Sequence, residues 1–378
     1  MRICFLNLNL QGGGAERQLV QLVRHWPRNN HHLRIVLLEQ KGVWLDELPV
    51  NIPYHALEPR MPPSSLRKIL WTFGLVPRLR KFLMEHPCDV VLTFLWLPTV
   101  LAAIAFRRLP NPPLLVWSVQ SDLTRDLALH WDGWLRQWLV RALLPKKVNH
   151  FIAVSEGVRR KIQMFLGIPA DRFTLIPNGI DLNRIRDMTV KPEPIPPKEV
   201  PVRLISIGRL HPQKGIEVLL QALAKVKHQN QDWECYILGD GLERARLMQL
   251  AHTLGLNQRL FFVGYKPNPY AWLKTADIFV SPSHWEPFGI VIVEAMALGL
   301  PVIASATDGA KDIISDSVNG LLVPVDDASA LADAITKLMH NPSLRQRLGE
   351  KARQKAQQFD ASLIAQRYAE LLEQLMRR

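Results

Sequence analysis

Short runs of apolar and β-branched residues alternate with amphipathic stretches along the whole chain, and this alternation restricts its fold more than any other feature. In the first half the runs are Ile3 to Asn9, Leu33 to Leu38, Val90 to Phe94, Leu114 to Val119, His150 to Val154 and Phe173 to Ile176. In the second they are Val202 to Ile207, Glu234 to Leu238, Leu260 to Val263, Ile278 to Ser281, Val302 to Ala304 and Leu321 to Val323. Strands followed by helical stretches build parallel sheets covered on both faces, the α/β doubly wound class. A chain of 378 residues is too long for one ordinary core and fits two such domains.

Between the halves, Lys191 to Pro201 holds five prolines in eleven residues. Proline lacks a backbone donor and cannot continue a helix interior, so this stretch reads as a linker. The expected division is residues 1–185, a linker at 186–201, a second domain at 202–358, and a helix at 359–378 beyond it. Two doubly wound domains place the carboxyl ends of their strands at switch-point crevices, and the expected ligand position is a cleft between two facing domains.

Composition excludes several classes. Hydrophobic residues at 48% and charged residues at 21% are ordinary for a soluble globular protein. The three cysteines, Cys4, Cys88 and Cys235, lie far apart in apolar runs, so neither a fully paired disulfide framework nor metal-ligand spacing is expected. Met1 to Leu10 does not read as a signal peptide. Val90 to Phe106 is uncharged, but it is short for a span and interrupted by Pro98, so it reads as a buried strand and a buried helix. The net charge of +13 is uneven: residues 1–180 hold 23 Lys/Arg against 12 Asp/Glu, and residues 181–378 hold 24 against 22. Eight of the 11 tryptophans share the basic half. Without a nucleic-acid motif, that half points to an anionic membrane surface.

Three segments carry candidate chemistry. Glu286-Pro287-Phe288-Gly289-Ile290-Val291-Ile292-Val293-Glu294 follows a strand, and Pro287 suits the first turn of a helix. Phe288, Gly289 and Ile290 would then present free amides to a diphosphate. Two carboxylates, Glu286 before the helix and Glu294 about two turns along it, would bind hydroxyl groups. The plain alternative is a surface cap and a buried glutamate satisfied internally. Gly208-Arg209-Leu210-His211-Pro212-Gln213-Lys214-Gly215 links another strand to a helix. Its two cations flank the turn and suit a diphosphate leaving group, although ordinary surface cations would look the same. Gly12-Gly13-Gly14 ends the first strand and lets backbone approach a ligand, or merely makes a tight turn into a helix from Ala15 to Trp26.

Together with Ala153-Val154-Ser155-Glu156-Gly157, Ile176-Pro177-Asn178-Gly179-Ile180-Asp181, Leu238-Gly239-Asp240-Gly241 and Val263-Gly264-Tyr265, these segments resemble glycosyltransferase family 4 over nearly the whole chain. That family is retaining and has the GT-B fold of two Rossmann-like domains facing each other across a cleft; bacterial cell-surface glycan or lipopolysaccharide synthesis is its implied setting. Glu286 and Glu294 match its Glu-x7-Glu pattern. The resemblance implies that Arg209 and Lys214 hold the donor diphosphate, with Gly208 in the same turn. It gives Glu294 the ribose, and Glu286 with the backbone of Phe288, Gly289 and Ile290 the donor sugar and phosphate. Backbone near Tyr265 and Lys266 would hold the base, and Gly13 and Gly14 would meet phosphate or sugar. The helix at 359–378 would cross back to the first domain.

Where some family members carry a histidine facing the donor sugar, this chain has Gln120. Asp122 beside it is a candidate for an acceptor hydroxyl, or a helix N-cap. No Asp-x-Asp motif is present, so neither a metal nor a cofactor is expected; the nucleotide diphosphate sugar is a co-substrate. Ser64 to His86 mixes Arg67, Lys68, Arg78, Arg80 and Lys81 with Leu66, Ile69, Leu70, Trp71, Phe73, Leu75, Leu79, Phe82 and Leu83. A basic amphipathic helix pair there would lie on an anionic membrane, or pack its apolar side on the sheet. The expected enzyme is cytoplasmic, peripheral on the inner face of the plasma membrane, and acts on a glycan or lipid-linked acceptor. An epimerase of the same fold and a basic nucleic-acid-binding protein remain as alternatives.

Overall fold

The computed structural model describes residues 1–27, 31–58, 60–62, 65–128, 133–229 and 232–377. The chain forms two compact units, Met1–Gly179 with Ala361–Arg378, and Ile180–Asp360.

The first unit holds seven strands: β1 (Arg2–Asn7), β2 (His32–Leu37), β3 (Tyr54–Ala56), β4 (Val90–Thr93), β5 (Leu114–Val119), β6 (His150–Ala153) and β7 (Phe173–Leu175). They pair in parallel in the order β3-β2-β1-β4-β5-β6-β7. The order reverses between β1 and β4, which makes that pair the switch point. Six strands lie where the apolar runs predict them. The additional strand, β3, is a three-residue edge with two exposed residues, and it has no apolar run to announce it. Helix Trp96–Ala105 accounts for the uncharged stretch after β4: most of its residues are buried, and Pro98 falls in its first turn, where no intrahelical donor is lost. Among the described residues no helix is long and apolar enough to cross a membrane.

The C-terminal helix Ala361–Arg377 belongs to the first unit and completes its core; Arg378 lies outside the described residues. Ile364, Tyr368 and Leu372 are buried with Phe5, Leu19, Leu92 and Ile152. The Tyr368 hydroxyl and Ser118 Oγ are 2.7 Å apart, and Arg367 donates to the Leu175 carbonyl at 2.7 Å. Gly179 is required below this helix, because a Cβ there would sit 2.9 Å from Ala361 Cα.

The second unit holds β8 (Val202–Ile207), β9 (Trp233–Leu238), β10 (Leu260–Gly264), β11 (Ile278–Ser281), β12 (Val302–Ser305) and β13 (Leu321–Val323). All are parallel, in the order β10-β9-β8-β11-β12-β13, with the switch point between β8 and β11.

The division between the units falls at Gly179, earlier than the proline content suggests, and residues 186–201 belong to the second unit. Arg203, on β8, explains this. Its guanidinium is buried and donates to the carbonyls of Pro196 and Pro197 at 2.9 and 3.0 Å, to Thr275 at 3.0 Å and to Glu234 at 2.6 Å. Proline removes donors but keeps its carbonyls, so a proline run can bind a buried arginine.

Helix Ser65–Glu85 is one helix with Pro77 inside it, not a pair. Leu75, Leu79, Phe82 and Leu83 are buried, Arg78 pairs with Glu58, Arg80 donates to the Ala105 carbonyl, and Lys81 lies 3.8 Å from Glu85. This is the packed alternative; on the part of the helix whose side chains are described, the large exposed apolar side chains are Phe73 and Met84, near the two ends of that part. Ser64 and the side chains of Leu66, Arg67, Lys68, Ile69 and Leu70 lie outside the described residues.

Removing one partner of a buried ion pair strands the other charge, at a cost of roughly 3–5 kcal/mol. Arg203→Met is therefore expected to destabilise the second unit by about that amount in denaturant unfolding. A loss below about 1 kcal/mol would show that Glu234 is not stranded.

Candidate active site in the second unit

The loops after β8 and β11, the two strands of the switch point, are held together by close backbone approaches. Lys214 lays its aliphatic stem over Gly208, whose missing Cβ would lie 3.3 Å from it. Gly215, with φ +57°, faces the Pro282 carbonyl where a side chain could not fit. The His284 amide donates to the Gln213 carbonyl at 2.9 Å, and Gln213 Nε2 to the Trp285 carbonyl at 3.1 Å.

These contacts bring Lys214 Nζ onto Glu286 Oε2 in an ion pair whose side chains are only 17% and 12% exposed. Arg209, on the same loop, is exposed and has no acidic partner among the described residues. The loop therefore offers one compensated cation and one uncompensated cation at the carboxyl edge of the sheet. The ammonium of a lysine has three donors, so pairing with Glu286 leaves capacity for another anion.

The helix after Glu286 starts later than its sequence suggests. Gly289 is its N-cap at φ +106°, and the helix runs Ile290–Ala297. A left-handed residue cannot sit inside the first helical turn, so Pro287 and Phe288 precede the helix. Phe288 is buried, with its ring 5.7 Å from that of Phe359, and its backbone is covered by Gly309, whose amide donates to the Glu286 carbonyl at 2.9 Å. The first-turn amides are those of Ile290 and Val291, which have no carbonyl one turn earlier to bond. Ile292 and Val293 donate to Gly289 O.

Glu294 lies just over one turn into the helix and is buried, with Oε1 accepting from the Tyr270 hydroxyl at 2.7 Å. Tyr270 gives no signal in the sequence, because this bond joins two helices 24 residues apart. Tyr265 is exposed, and Lys266 lies over the Trp272 ring at 5.3 Å.

His284 is the other residue that sequence reasoning missed. Its Nε2 lies 2.7 Å from Glu217 Oε1, and its Nδ1 meets Asp326. Burial opposes protonation, but the bonds to Glu217 and Asp326 outweigh it, so the imidazole titrates above its ordinary value. The loop carrying Glu286 is thus anchored by an imidazole bonded to two carboxylates.

Three proposed groups lie in the first unit. Gly13 is the extended N-cap of helix Gly14–His25, and both Gly13 and Gly14 are exposed after β1. After β5, Gln120 Nε2 donates to Ser118 Oγ at 2.8 Å, while Gln120 Oε1 has no partner among the described residues. Asp122 takes the N-cap alternative for helix Leu123–Ala128: it accepts from Lys161 at 2.8 Å, Thr124 at 2.7 Å and the Arg125 amide at 3.4 Å. Burial would raise its pKa, but the bonds from Lys161 and Thr124 bring it below the ordinary carboxylate value. Among the described residues, no group of three His, Cys, Asp or Glu is gathered in metal-ligand fashion.

The comparisons with known proteins agree with this geometry. The model for glycosyl transferases group 1 matches residues 187–355, and that for Glycosyltransferase Family 4 matches residues 12–184. The chain belongs to this glycosyltransferase family. A similar relative is the phosphatidyl-myo-inositol mannosyltransferase of Mycobacterium leprae, 29% identical over 93% of this chain and 91% of its own. The N-acetylgalactosamine-N,N'-diacetylbacillosaminyl-diphospho-undecaprenol 4-alpha-N-acetylgalactosaminyltransferase of Campylobacter jejuni is 24% identical over 94% and 95%. The crystal structure of Anabaena Alr3699/HepE in complex with UDP superposes with a TM-score of 0.79 at 24% identity, covering 99% of this chain and 100% of that one. This likeness and the two parallel-sheet domains give the glycosyltransferase the GT-B fold. The epimerase and nucleic-acid alternatives are left without support.

The His284 anchor has a pH signature. A folded pKa above the unfolded value near 6.5 gives a stabilisation that is complete below that value and lost as pH rises through the folded one. The wild type is expected to lose more stability than His284→Gln between about pH 6 and about pH 9. Parallel denaturation midpoints across that range would contradict the anchor.

Proposed function

We propose that this glycosyltransferase takes a hexose or N-acetylhexosamine from a nucleotide diphosphate donor, with uracil the base that family frequency favours. Transfer proceeds with retention to a glycan or lipid-linked acceptor in cell-envelope polysaccharide synthesis. One observation carries the reading: Arg209, Lys214 and the first amides of helix Ile290–Ala297 all sit on the two loops at the switch point of the second sheet. Ligands of open α/β sheets bind at such a point, and helix N-termini favour phosphate. The lipid-linked acceptor named for the Campylobacter jejuni relative and the UDP bound to the Anabaena protein support the same class of partners.

As the bond from sugar to diphosphate breaks, negative charge grows on the departing phosphate oxygens. Lys214, held by Glu286, and the Ile290 and Val291 amides are preorganised toward that charge, and Arg209 on the same loop adds a second cation; preorganised groups of this kind lower the barrier most. The acceptor hydroxyl attacks from the face the diphosphate leaves, and a phosphate oxygen takes its proton, so no protein base is needed. Glu286, turned by its pairing with Lys214, accepts from sugar hydroxyls. Glu294, held by Tyr270, takes the ribose, and backbone at Tyr265 and Lys266 takes the base. In the first unit Gly13 and Gly14 offer amides to phosphate or sugar, and Gln120 Oε1, buried and without a partner among the described residues, is the acceptor-side group with free hydrogen-bonding capacity, since Asp122 is already engaged.

Neither a cofactor nor a metal ion is called for, because the cations and amides supply the positive charge. The reading places the enzyme in the cytoplasm, where nucleotide sugars are made, with peripheral contact at the inner face of the plasma membrane.

A thermal-shift screen of nucleotide sugars identifies the donor, since a ligand of the folded state raises stability with concentration. With that donor, Lys214→Ala and Arg209→Ala are each expected to lower turnover by roughly a hundredfold. Near-normal transfer in both variants would overturn the assignment.

A further inference from the structure

Helix Gly133–Lys147 of the first unit shows a face that its own fold leaves uncovered. Trp134, Leu135 and Trp138 are 74%, 48% and 62% exposed, while Val140, Leu143 and Leu144 on the opposite side are buried. Helical spacing continues the exposed face through Arg141, Ala142 and Lys146, all exposed. The helix contains no aspartate or glutamate, although it carries Arg136, Arg141, Lys146 and Lys147. Arg141 is held in place, with its guanidinium 4.7 Å from the Phe165 ring centre and Nε donating to the Phe165 carbonyl at 2.8 Å. Met164, which precedes Phe165 on helix Glu156–Leu166, is also exposed.

Two solvent-facing tryptophans on one turn are costly to leave in water, and such patches mark interaction surfaces. Indole rings favour the headgroup layer of a bilayer, and cations alongside them favour anionic lipid. The pattern differs from helix Ser65–Glu85, where the described leucines point inward and Arg78 and Lys81 already have acidic partners. An exposed face on a helix without aspartate or glutamate, in a half holding 23 Lys/Arg against 12 Asp/Glu, complements an anionic surface.

We propose that this face docks the enzyme on an anionic lipid bilayer, with Trp134 and Trp138 entering the headgroup layer and Arg141 and Lys146 meeting lipid phosphates. The proposal gives a surface to the peripheral contact inferred above, and it rests on a lipid-borne acceptor as its reason to exist. The vesicle measurement itself needs no turnover.

Full-length protein is sedimented with phosphatidylcholine vesicles and with vesicles containing phosphatidylglycerol, as wild type, W134S/W138S and R141Q/K146Q. Wild type is expected to bind the anionic vesicles, and salt to weaken that binding. W134S/W138S loses about tenfold or more in affinity, and R141Q/K146Q loses about fivefold per charge with a flatter salt dependence. Unchanged unfolding midpoints and unchanged transfer to a soluble acceptor fragment in both variants separate docking from folding and chemistry. Equal vesicle binding by all three proteins would overturn the proposal, as would no binding by wild type. So would a tryptophan variant that changes only the oligomeric state, which would assign the face to a second copy of the chain. Vesicle binding that follows the expected order while transfer fails would keep the docking surface and sink the reaction assigned above.

Discussion

The ion pair between Lys214 and Glu286 is the constraint on which the second unit's candidate site depends. Both side chains are largely removed from water, so the pair must be well placed to offset its desolvation. That placement requires two loops, each following a different strand, to come within backbone contact. Glycine makes this possible at Gly208, under the lysine stem, and at Gly215, against the Pro282 carbonyl. A third glycine, Gly309, permits the same closeness over Phe288 and donates its amide to the Glu286 carbonyl. The carboxylate is thus fixed from both ends, by its side chain and by its own carbonyl.

The same packing sets the electrostatics. Gly289 delays the helix until Ile290, so the amides at its start lie beyond Glu286 and not around it. One carboxylate, one paired lysine, one arginine without an acidic partner among the described residues and a helix N-terminus then share the carboxyl edge of a single sheet. Glu294 and Tyr270 form a second polar bond behind them, across two buried helices. Outside the site, His284 couples the loop to Glu217 and Asp326 and links its position to protonation.

Much of this was legible because period and punctuation are local properties. Buried parallel strands appear as apolar runs, and six of the seven strands in the first sheet and all six in the second lie where those runs occur. What was not legible depends on contacts between distant residues. The edge strand Tyr54–Ala56 has no core face to pattern it. The proline segment joins the second unit through Arg203, which a composition reading cannot anticipate. Pro287 suits a helix start, but the left-handed Gly289 overrides it. Asp122 was open to two readings, and its capping of a helix beside Lys161 was decided by a lysine 39 residues away. The charged helix Ser65–Glu85 matched a membrane pattern in one dimension, yet its described apolar side chains are mostly core.

The central claim is that the loop after β8 binds a diphosphate through Lys214, and equilibrium binding tests it without any acceptor. Calorimetric titration would compare a nucleoside diphosphate with its nucleoside on wild type and on Lys214→Met. The diphosphate is predicted to bind wild type at least about tenfold more tightly, and the substitution to remove most of that advantage while leaving the nucleoside's affinity intact. An advantage that survives the substitution, or an equal loss for both ligands, would contradict the account.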